Sequence, residues 1–393
     1  MGLRCAIVPP TPVPYREPLF RALSEHPELE IRVIYQSAQE PSWDVPADWF
    51  PRGHPYPAVH LRAWQRRRAG RTPVVVPRGL ERALRRADPD CVVVWEYGAA
   101  SLRTLAWCRR HRRRYLIFTE CTPAIDELLP RWQLALHRRL ARQADGVIAA
   151  SSAARRRLRR FGVPDERITV ALQAADVEPF RAAAREHGGG PVEDGGGPVT
   201  VISAGRLVPD KNFGRLIEAF GRVRSEAELE IVGTGFLEDE LKRLAARRGV
   251  TVRFRGHLRP PELPSVYATA DVYALISTYE PFGVAAREAA AAGLPIICSR
   301  SAGAAGDVAV DGRNAILVDP LDVEEITAAL ARLAGDAELR ARMGAESRAI
   351  DRETDGVEVE AFVEAVAGAA PHYAPSSNGS TSSRSRATEA SGR

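Results

Sequence analysis

Short apolar runs alternate with helix-like segments along most of this sequence, and the alternation occurs twice. The runs are rich in β-branched and aromatic residues and are bounded by Pro, Gly, Asp or Arg, which is typical of buried strands. Strands that alternate with helices predict a parallel sheet covered on both faces, so we expect an α/β protein with two doubly wound halves. The candidate strands are residues 5–8, 31–35, 74–76, 91–95, 115–118 and 147–150 in the first half, and 199–203, 229–232, 251–254, 272–276, 295–298 and 316–318 in the second.

A glycine-rich segment separates the two halves. Residues 187–198 read HGGGPVEDGGGP, a composition typical of a flexible linker. We therefore expect an N-terminal Rossmann-like domain over residues 1–186 and a C-terminal one over 199–350, with ligands bound in the cleft between them. Residues 351–373 are expected to form a helix that packs back on the first domain, and 374–393 to form a disordered polar tail.

The chain has an excess of arginine. The formal net charge is +5, and arginines cluster at residues 66–68, 109–114 and 155–160. Solvated helix faces explain such clusters most simply, and a surface for anionic lipid or an anionic acceptor is the alternative. No aromatic stacking strip or nucleic-acid motif accompanies the arginines, so we expect no nucleic-acid partner.

Membrane spans and metal sites leave characteristic patterns in a sequence. No run of about 18 apolar residues is present, and the N-terminus resembles a first strand rather than a signal peptide. We therefore expect a cytoplasmic protein, with peripheral contact at the inner face of the membrane as an alternative for its basic N-terminal domain. The five cysteines are scattered without a CxxC pair, which predicts reduced thiols and no metal site.

One candidate strand ends at Ser203, and the residues after it suit a phosphate-bearing ligand. Gly205 allows the backbone to turn close to a ligand because glycine has no side chain. Arg206 and Lys211 follow at the carboxyl edge of the strand. A forked guanidinium beside a point ammonium charge suits a diphosphate. The alternative is two exposed cations in an ordinary strand-to-helix loop.

A second candidate strand, residues 272–276, leads into a loop that contains Glu280 and then into a helix. Phe282, Gly283 and Val284 begin this helix, so their backbone N–H groups favour a phosphate or sugar oxygen. Glu288 follows in a run of small residues, which favours a side chain that points into a pocket and accepts hydrogen bonds from ribose hydroxyls. The alternatives are a carboxylate that stabilises the helix dipole, for Glu280, and a surface position, for Glu288.

In this order and spacing the motifs resemble those of GT4-type retaining glycosyltransferases, which have the GT-B fold. Glu280 and Glu288, followed by Ala-x-Ala-x-Gly-x-Pro, are similar to the E-x7-E signature of that family. The segment Gly-Arg-Leu-x-x-x-Lys that ends at Lys211 is similar to its diphosphate-binding segment. Residues 302–320 resemble its closing segment, with Asp307 where Glu is usual and Asn314 where Gly is usual.

The resemblance implies a role for each matching residue. Arg206 and Lys211 would neutralise the diphosphate of a nucleotide-sugar donor, and Glu280 would contact the hydroxyls of the donor sugar. The amides of Phe282, Gly283 and Val284 would hold the sugar and phosphate, and Glu288 would bind the ribose. The loop with Gly256 and His257 would read the base. The implied reaction proceeds with retention, needs no metal ion, and uses no cofactor beyond the donor substrate.

The N-terminal half departs from the family pattern. Relatives carry a Gly-Gly loop after the first strand, where residues 8–16 of this chain are rich in proline and end at Arg16. Relatives place a His after the fifth strand, where this chain has Glu120, which we treat as a catalytic candidate. Glu96 is a second candidate for the cleft. Residues 37–72 show little clean periodicity and are interpreted as a long loop over the cleft.

Two other functions remain open from the sequence. The first keeps the fold but changes the reaction, as in a sugar-nucleotide epimerase or an inverting transferase. The second is a non-enzymatic basic protein that binds surfaces and has a vestigial nucleotide site. For a transferase, the acceptor is either a small molecule or a lipid-linked glycan. The basic and apolar segment 131–143 permits contact with a membrane surface.

Overall fold

The computed structural model of the chain describes residues 2–39, 49–51, 53–68, 71–187 and 197–368. The strands are β1 Leu3–Val8, β2 Leu29–Tyr35, β3 Ala58–His60, β4 Arg62–Arg68, β5 Arg71–Arg78, β6 Cys91–Trp95, β7 Arg114–Thr119, β8 Gly146–Ala149, β9 Ile168–Val170, β10 Val199–Ala204, β11 Ala227–Val232, β12 Val252–Gly256, β13 Val272–Leu275, β14 Ile296–Ser299 and β15 Ala315–Val318. The helices are α1 Glu17–Glu25, α2 Leu80–Ala87, α3 Ala99–His111, α4 Arg131–Gln143, α5 Ser152–Arg160, α6 Glu178–Glu186, α7 Phe213–Phe220, α8 Glu238–Arg248, α9 Leu263–Ala268, α10 Val284–Ala291, α11 Val323–Gly335, α12 Ala337–Glu353 and α13 Val357–Ala367.

Two parallel sheets organise the chain. The first has the strand order β3-β2-β1-β6-β7-β8-β9, and the second has the order β12-β11-β10-β13-β14-β15. In each sheet the strand numbers first fall and then rise. The change occurs between β1 and β6 in the first sheet and between β10 and β13 in the second. Ligands of open α/β sheets bind outside the carboxyl ends of the strands at such a reversal. The fold therefore offers two facing edges for one ligand site.

The central strands are mostly apolar because helices cover both faces of each sheet. Every residue of β6, β13 and β14 is buried. On the first sheet, α2, α3 and α4 pack on one face through Leu84, Trp107 and Leu140. On the opposite face, α1 and α13 pack through Phe20 and Phe362.

The C-terminal helix α13 thus lies against the first sheet, although the second sheet precedes it in the chain. Nη1 of Arg114, in β7, donates to the carbonyl oxygen of Val366 at 2.5 Å. Helix α12 ends at Glu353, and a turn that includes Gly356, in the left-handed conformation at φ 71°, leads into α13.

The structure corrects the prediction for residues 37–72 and 74–76. The stretch interpreted as a loop contains β3, β4 and the start of β5, apart from residues 40–48, 52, 69 and 70, which lie outside the described residues. The strand predicted at 74–76 belongs to β5, which pairs antiparallel with β4 in a separate two-stranded sheet. Pro73 and Pro77 fit there because each strand of such a sheet has a free edge. The edge strand β9 was not predicted.

The glycine-rich stretch 188–196 and residues 369–393, which include the predicted tail, lie outside the described residues. Among the helices of the described ranges, none combines the length and the hydropathy that a membrane span requires.

Candidate functional site

The loop after β10 carries the two cations predicted to bind a diphosphate. Arg206 is half-buried, and Lys211 ends a short 3-10 turn that begins at Pro209. Asn212 follows in the left-handed conformation, at φ 60°, and precedes α7. Its side-chain amide donates to the carbonyl oxygen of Ile276 at 3.1 Å. This hydrogen bond ties the Lys211 loop to the residues after β13, which is the neighbouring strand of the sheet.

The structure brings Lys211 and Glu280 together. The Nζ atom of Lys211 lies 2.5 Å from Oε2 of Glu280, although 69 residues separate them in the chain. The hydroxyl of Ser277 donates to the same oxygen at 3.0 Å. Glu280 is 7% exposed, so its carboxylate depends on these two partners for most of its solvation.

Helix α10 begins at Val284, directly after the Glu280 loop. Gly283 precedes it in the left-handed region, at φ 101°, and a Cβ atom there would lie 2.7 Å from Cδ2 of Leu275. Only glycine fits both conditions. The side chain of Phe282 is buried in the core, so any contact of this residue with a ligand is through its backbone.

Glu288 lies on α10 beside two buried tyrosines. The hydroxyl of Tyr267 donates to Oε2 of Glu288 at 3.4 Å, and the ring of Tyr267 stacks on that of Tyr273 at 5.3 Å between centroids. Burial raises the pKa of Glu288 to about 7, while the Tyr267 hydrogen bond lowers it and the charge of Asp176 raises it. The carboxyl group therefore changes its charge near neutral pH.

The loop predicted to hold a base follows β12. Gly256 ends this strand at φ 69°, and its carbonyl oxygen accepts the N–H of Gly233 at 2.8 Å. Gly233 contacts the first cation loop closely, because a Cβ atom there would lie 2.0 Å from the oxygen of Gly205. Gly205, Gly233 and Gly256 thus lie at the carboxyl ends of three adjacent strands, β10, β11 and β12, and half-buried His257 directly follows Gly256.

On the first sheet, Glu120 follows β7 and pairs with Arg16. Nη2 of Arg16 lies 2.7 Å from Oε1 of Glu120, across 104 residues of sequence. The guanidinium of Arg16 lies over the rings of Tyr15 and Trp95, at 5.3 and 5.4 Å from their centroids. The side chain of Arg16 is 8% exposed and that of Glu120 is 18% exposed. The proline-rich loop after β1 therefore supplies the cation for the carboxylate that stands where relatives have His.

Glu96 holds the turn that carries Glu120. One carboxylate oxygen accepts from the backbone N–H of Glu120 at 2.5 Å, and the other accepts from Oγ1 of Thr119 at 2.9 Å. The thiol of Cys121 donates to that second oxygen at 3.1 Å. Burial raises the pKa of Glu96, and the charge of Glu120 raises it further. Glu96 also takes the left-handed conformation, at φ 58°. Glu96 therefore fixes the backbone of the turn that carries Glu120.

Two family descriptions match this chain. Residues 20–178 match the model described as Glycosyltransferase Family 4, and residues 192–350 match Glycosyl transferases group 1. The chain is also 32% identical over 281 residues to a GDP-mannose-dependent alpha-(1-6)-phosphatidylinositol monomannoside mannosyltransferase of Mycolicibacterium smegmatis. That match covers 66% of this chain and 72% of the relative. The chain belongs to the GT4 glycosyltransferases.

Further comparisons agree with this membership. Glycogen synthase of Mycobacterium tuberculosis is 34% identical over 212 residues, which cover 52% of this chain and 49% of that enzyme. The structure of Anabaena Alr3699/HepE in complex with UDP superposes with a TM-score of 0.74 at 18% identity, and covers 93% of this chain and 100% of that one. The fold is GT-B, and the chain is a nucleotide-sugar-dependent glycosyltransferase.

Two tyrosines of this GT4 glycosyltransferase lie within electrostatic range of carboxylates from the other half of the chain, and the sequence analysis did not single them out. Tyr15 of the first sheet lies within electrostatic range of Glu280 and Glu288, and burial raises its pKa to about 12. Tyr279, in the loop after β13, lies within electrostatic range of Cys121, Glu96 and Glu120, and burial raises its pKa. Tyr15 directly precedes Arg16, and Tyr279 directly precedes Glu280. This adjacency is the only sequence signal for either tyrosine.

The closing segment of the glycosyltransferase connects the two sheets as well. The carboxylate of Asp307 accepts from the backbone N–H and the hydroxyl of Ser152, at 2.7 and 2.6 Å. It thereby satisfies donors at the start of α5, across the cleft. Asn314 holds the turn after Asp307, because its side chain accepts from the N–H of Val310 and donates to the carbonyl of Val308. Both departures from the family pattern thus have structural partners.

Gln173 is a third residue that the sequence analysis missed. It follows β9 and is 1% exposed. It contacts Arg16 and Glu120 of the first half of the chain and Arg287 of the second. No motif surrounds it, so no sequence signal marks it.

Proposed function

We propose that this glycosyltransferase moves a sugar from a nucleotide-diphosphate sugar to a hydroxyl of its acceptor, with retention of configuration and without a metal ion. The observation that carries the proposal is the 2.5 Å ion pair between Lys211 and Glu280, just before the helix that bears Glu288. This arrangement supports a donor that lies along the carboxyl edge of β10 and β13.

The charged groups of the donor are assigned first. Arg206 and Lys211 neutralise the diphosphate, because a guanidinium and an ammonium supply two positive charges without a metal. The backbone amides of Phe282, Gly283 and Val284 stabilise the phosphate and sugar oxygens at the start of α10.

The nucleoside is assigned to the other strands of the second sheet. Gly205 leaves room for the donor beside the cation loop, and the backbone at Gly256 and His257 contacts the base. The Glu288 carboxylate accepts hydrogen bonds from the ribose hydroxyls. Its position beside buried Tyr267 supports this assignment, because a carboxylate in an apolar pocket gains most from a ligand that donates to it.

The chemistry follows from these assignments. The acceptor oxygen attacks the anomeric carbon on the face that the diphosphate leaves, and the departing phosphate oxygen takes the acceptor proton. Arg206 and Lys211 stabilise the negative charge that grows on the diphosphate, so electrostatic stabilisation replaces a protein nucleophile. Glu280 orients the sugar hydroxyls from the donor side. Glu120, paired with Arg16, faces the reacting sugar from the first sheet.

This assignment divides the chain by function. We propose residues 1–186 as the acceptor-binding domain and 199–350 as the donor-binding domain, joined by the linker 187–198. Within the segment 351–373, helix α13 is assigned to the first domain, which is supported by the packing of Phe362 beside Phe20; residues 351–353 belong to α12, and 369–373 lie outside the described residues.

A nucleotide panel tests the donor site. We expect one family of nucleoside diphosphates among UDP, GDP and ADP to raise the melting temperature, because a ligand that binds only the folded state stabilises it. At a hundred times the dissociation constant, the gain is about 2.7 kcal/mol. The shift should disappear in Arg206→Ala. Turnover of the matching nucleotide sugar, followed by NMR of the product anomer, tests retention. An inverted product contradicts retention, and a protein that binds no diphosphate contradicts the donor site.

A membrane-associated acceptor is proposed for the first domain, and the cited mannosyltransferase relative acts on a phosphatidylinositol monomannoside by its name. Leu128, just before α4, and Trp132, in its first turn, are 63% and 68% exposed. Exposed arginines follow on the same helix. Elsewhere in the first domain, a cavity of about 330 Å³ beside α2 is lined by Arg32, Arg82 and Arg86 around an apolar floor. Such a basic and apolar surface suits anionic lipid headgroups.

Co-sedimentation tests this contact. We expect the protein to sediment with phosphatidylglycerol vesicles at low salt and to be released at high salt, because screening weakens surface electrostatics. The double variant Leu128→Ala/Trp132→Ala should lose most of the binding. The matched control is Phe236→Ala/Leu321→Ala, which removes an exposed aromatic and an exposed leucine, 76% and 60% exposed, from the second domain. Equal losses in the two variants, or no sedimentation of the natural protein, exclude the proposed surface.

A further inference from the structure

Gln173 contacts both halves of the chain. Its side chain contacts Arg16 and Glu120 of the first half, and its backbone carbonyl contacts Arg287 of α10 in the second half. It is 1% exposed and follows β9, and its backbone N–H donates to the carbonyl of Ala150 at 3.1 Å. This hydrogen bond holds the residue at the carboxyl edge of the first sheet, next to β8. A buried carboxamide needs partners for both its donor and its acceptor, so its surroundings define what it can do.

The side chain of Gln173 satisfies the Arg16–Glu120 pair. In the amide orientation that pairs both of its groups, the nitrogen donates to Oε1 of Glu120 at 3.0 Å and the oxygen accepts from Nε of Arg16 at 3.3 Å. Nη2 of Arg16 lies 2.7 Å from the same carboxylate oxygen. The three side chains form a closed ring of hydrogen bonds, so the Glu120 carboxylate is held in one position.

The backbone of Gln173 contacts the donor helix. Its carbonyl oxygen accepts from Nη1 of Arg287 at 2.9 Å, and the same nitrogen donates to Oε1 of Glu358 at 3.0 Å. Nη2 of Arg287 donates to the carbonyl of Thr354 at 3.3 Å. Arg287 is 2% exposed and immediately precedes Glu288 on α10. One residue therefore joins the Glu120 carboxylate to the helix that carries Glu288.

We propose that Gln173 is a positioning residue that sets the Glu120 carboxylate relative to the donor helix. It acts through Arg16 and Glu120 on one side and through Arg287 on the other, without contact with the reacting atoms. This inference rests on the proposed sugar transfer, in which Glu120 faces the donor sugar.

The chemistry of the carboxamide explains why glutamine suits this position. It offers one N–H to a carboxylate and one oxygen to a guanidinium, and it adds no charge. A glutamate would place a second carboxylate against Glu120, and like charges in a shared site raise one of the two pKa values. A methionine has similar length but leaves Arg16 and Glu120 each short of one partner.

The pH profile of kcat provides the first test. The groups that face Glu120 are Arg16, Glu96, Tyr15 and Tyr279, and they remain unchanged in a Gln173 variant. We expect Gln173→Glu to raise, by about one pH unit, the pH at which kcat falls on the acid side of the profile. The reason is that two adjacent carboxyl groups resist losing both protons. Gln173→Met should lower kcat roughly tenfold to a hundredfold, with the nucleotide dissociation constant unchanged. An unshifted limb with kcat close to that of the natural protein overturns the proposal.

A double-mutant cycle provides the second test. Gln173→Met combined with Arg287→Lys should affect kcat non-additively, by more than about twofold, because the two residues share one hydrogen-bonded path. The matched control is Arg181→Lys. Arg181 is a half-buried arginine in α6, with a side chain 18% exposed, that joins this helix to α12 through Asp351, outside the path. It should combine additively with Gln173→Met. If Arg287→Lys also combines additively with Gln173→Met, Gln173 has a merely structural role and the proposal is overturned.

The outcomes separate this inference from the proposed function. Failure of the natural protein to bind a nucleoside diphosphate or transfer a sugar contradicts the proposed function. Normal transfer by the natural protein, together with unaltered pH profiles in both Gln173 variants, contradicts the inference alone. If Gln173→Met lowers the melting temperature strongly, Gln173→Glu decides, because it keeps the size of the side chain.

Discussion

Replacing Lys211 with alanine is expected to lower the rate of sugar transfer by about a thousandfold, because a preorganised charge opposite the developing negative charge is lost. The same change removes the cation from the Glu280 carboxylate, which is 7% exposed and, among the described residues, keeps the Ser277 hydroxyl as its remaining side-chain partner. We therefore also expect a loss of roughly 3 kcal/mol in the free energy of unfolding, since a buried charge without its partner is strongly destabilising.

A second substitution separates the two effects of the Lys211 change. In Lys211→Ala/Glu280→Gln the buried charge is gone, so the melting temperature should recover while the transfer rate stays low. Lys242→Ala is the matched control, because Lys242 also pairs with a glutamate, Glu238, at 2.6 Å, but on the surface of α8. It should leave the rate and the melting temperature within error of the natural protein. Full activity in Lys211→Ala contradicts its assignment to the diphosphate.

Replacing Glu288 with alanine is expected to weaken nucleotide binding about a hundredfold, since two hydrogen bonds to a charged acceptor are lost. The affinity should also depend on pH in the natural protein. Burial raises the pKa of Glu288 to about 7, so its carboxyl is protonated in mildly acidic solution. Only the carboxylate accepts from both ribose hydroxyls. The affinity should therefore rise as the pH increases through about 7.

The stability of the ligand-free protein should respond to Glu288 with the opposite sign. Between the ordinary carboxyl pKa of about 4.3 and about 7, the native state binds a proton that the unfolded chain releases. Its contribution to the free energy of unfolding therefore falls as the pH rises through that window.

Calorimetry with the nucleoside alone measures the binding effect, because the nucleoside carries no phosphate that titrates in the same range. Glu288→Gln should bind the nucleoside with an affinity that no longer changes with pH. If the natural protein binds equally well on both sides of pH 7, the ribose assignment of Glu288 is wrong.

The proximity of the proposed donor residues was predictable because its signals are local. Gly205, Arg206 and Lys211 follow one buried strand, and Glu280 and Glu288 follow another. Parallel strands present their carboxyl ends at the same edge of a sheet, so residues that follow them meet without further information. The order of these motifs also predicted the GT4 family, which the comparisons confirmed.

The less regular parts of the first half were not predictable in the same way. Strands β4 and β5 pair with each other in a stretch without clean periodicity. The sequence of β5 contains Pro73 and Pro77, and proline argues against a central strand. The edge strand β9 has three residues, too few to show a period. In both places pairing with a neighbouring strand, rather than local pattern, decided the structure.

The sequence by itself determined the two α/β halves and the strand-end positions of the proposed donor residues, because hydrophobic period and turn chemistry act over a few residues. The GT-B fold followed from the resemblance of the motifs to those of the GT4 family. Only the tertiary structure decided which side chains from distant segments share a partner. Arg16 and Glu120 are 104 residues apart, and Gln173 and Arg287 are 114 apart. Such contacts depend on the strand order of the sheets and on the packing of α10 and α13, which no local pattern encodes. The Arg16, Glu120 and Gln173 cluster on the first sheet is built from contacts of this kind.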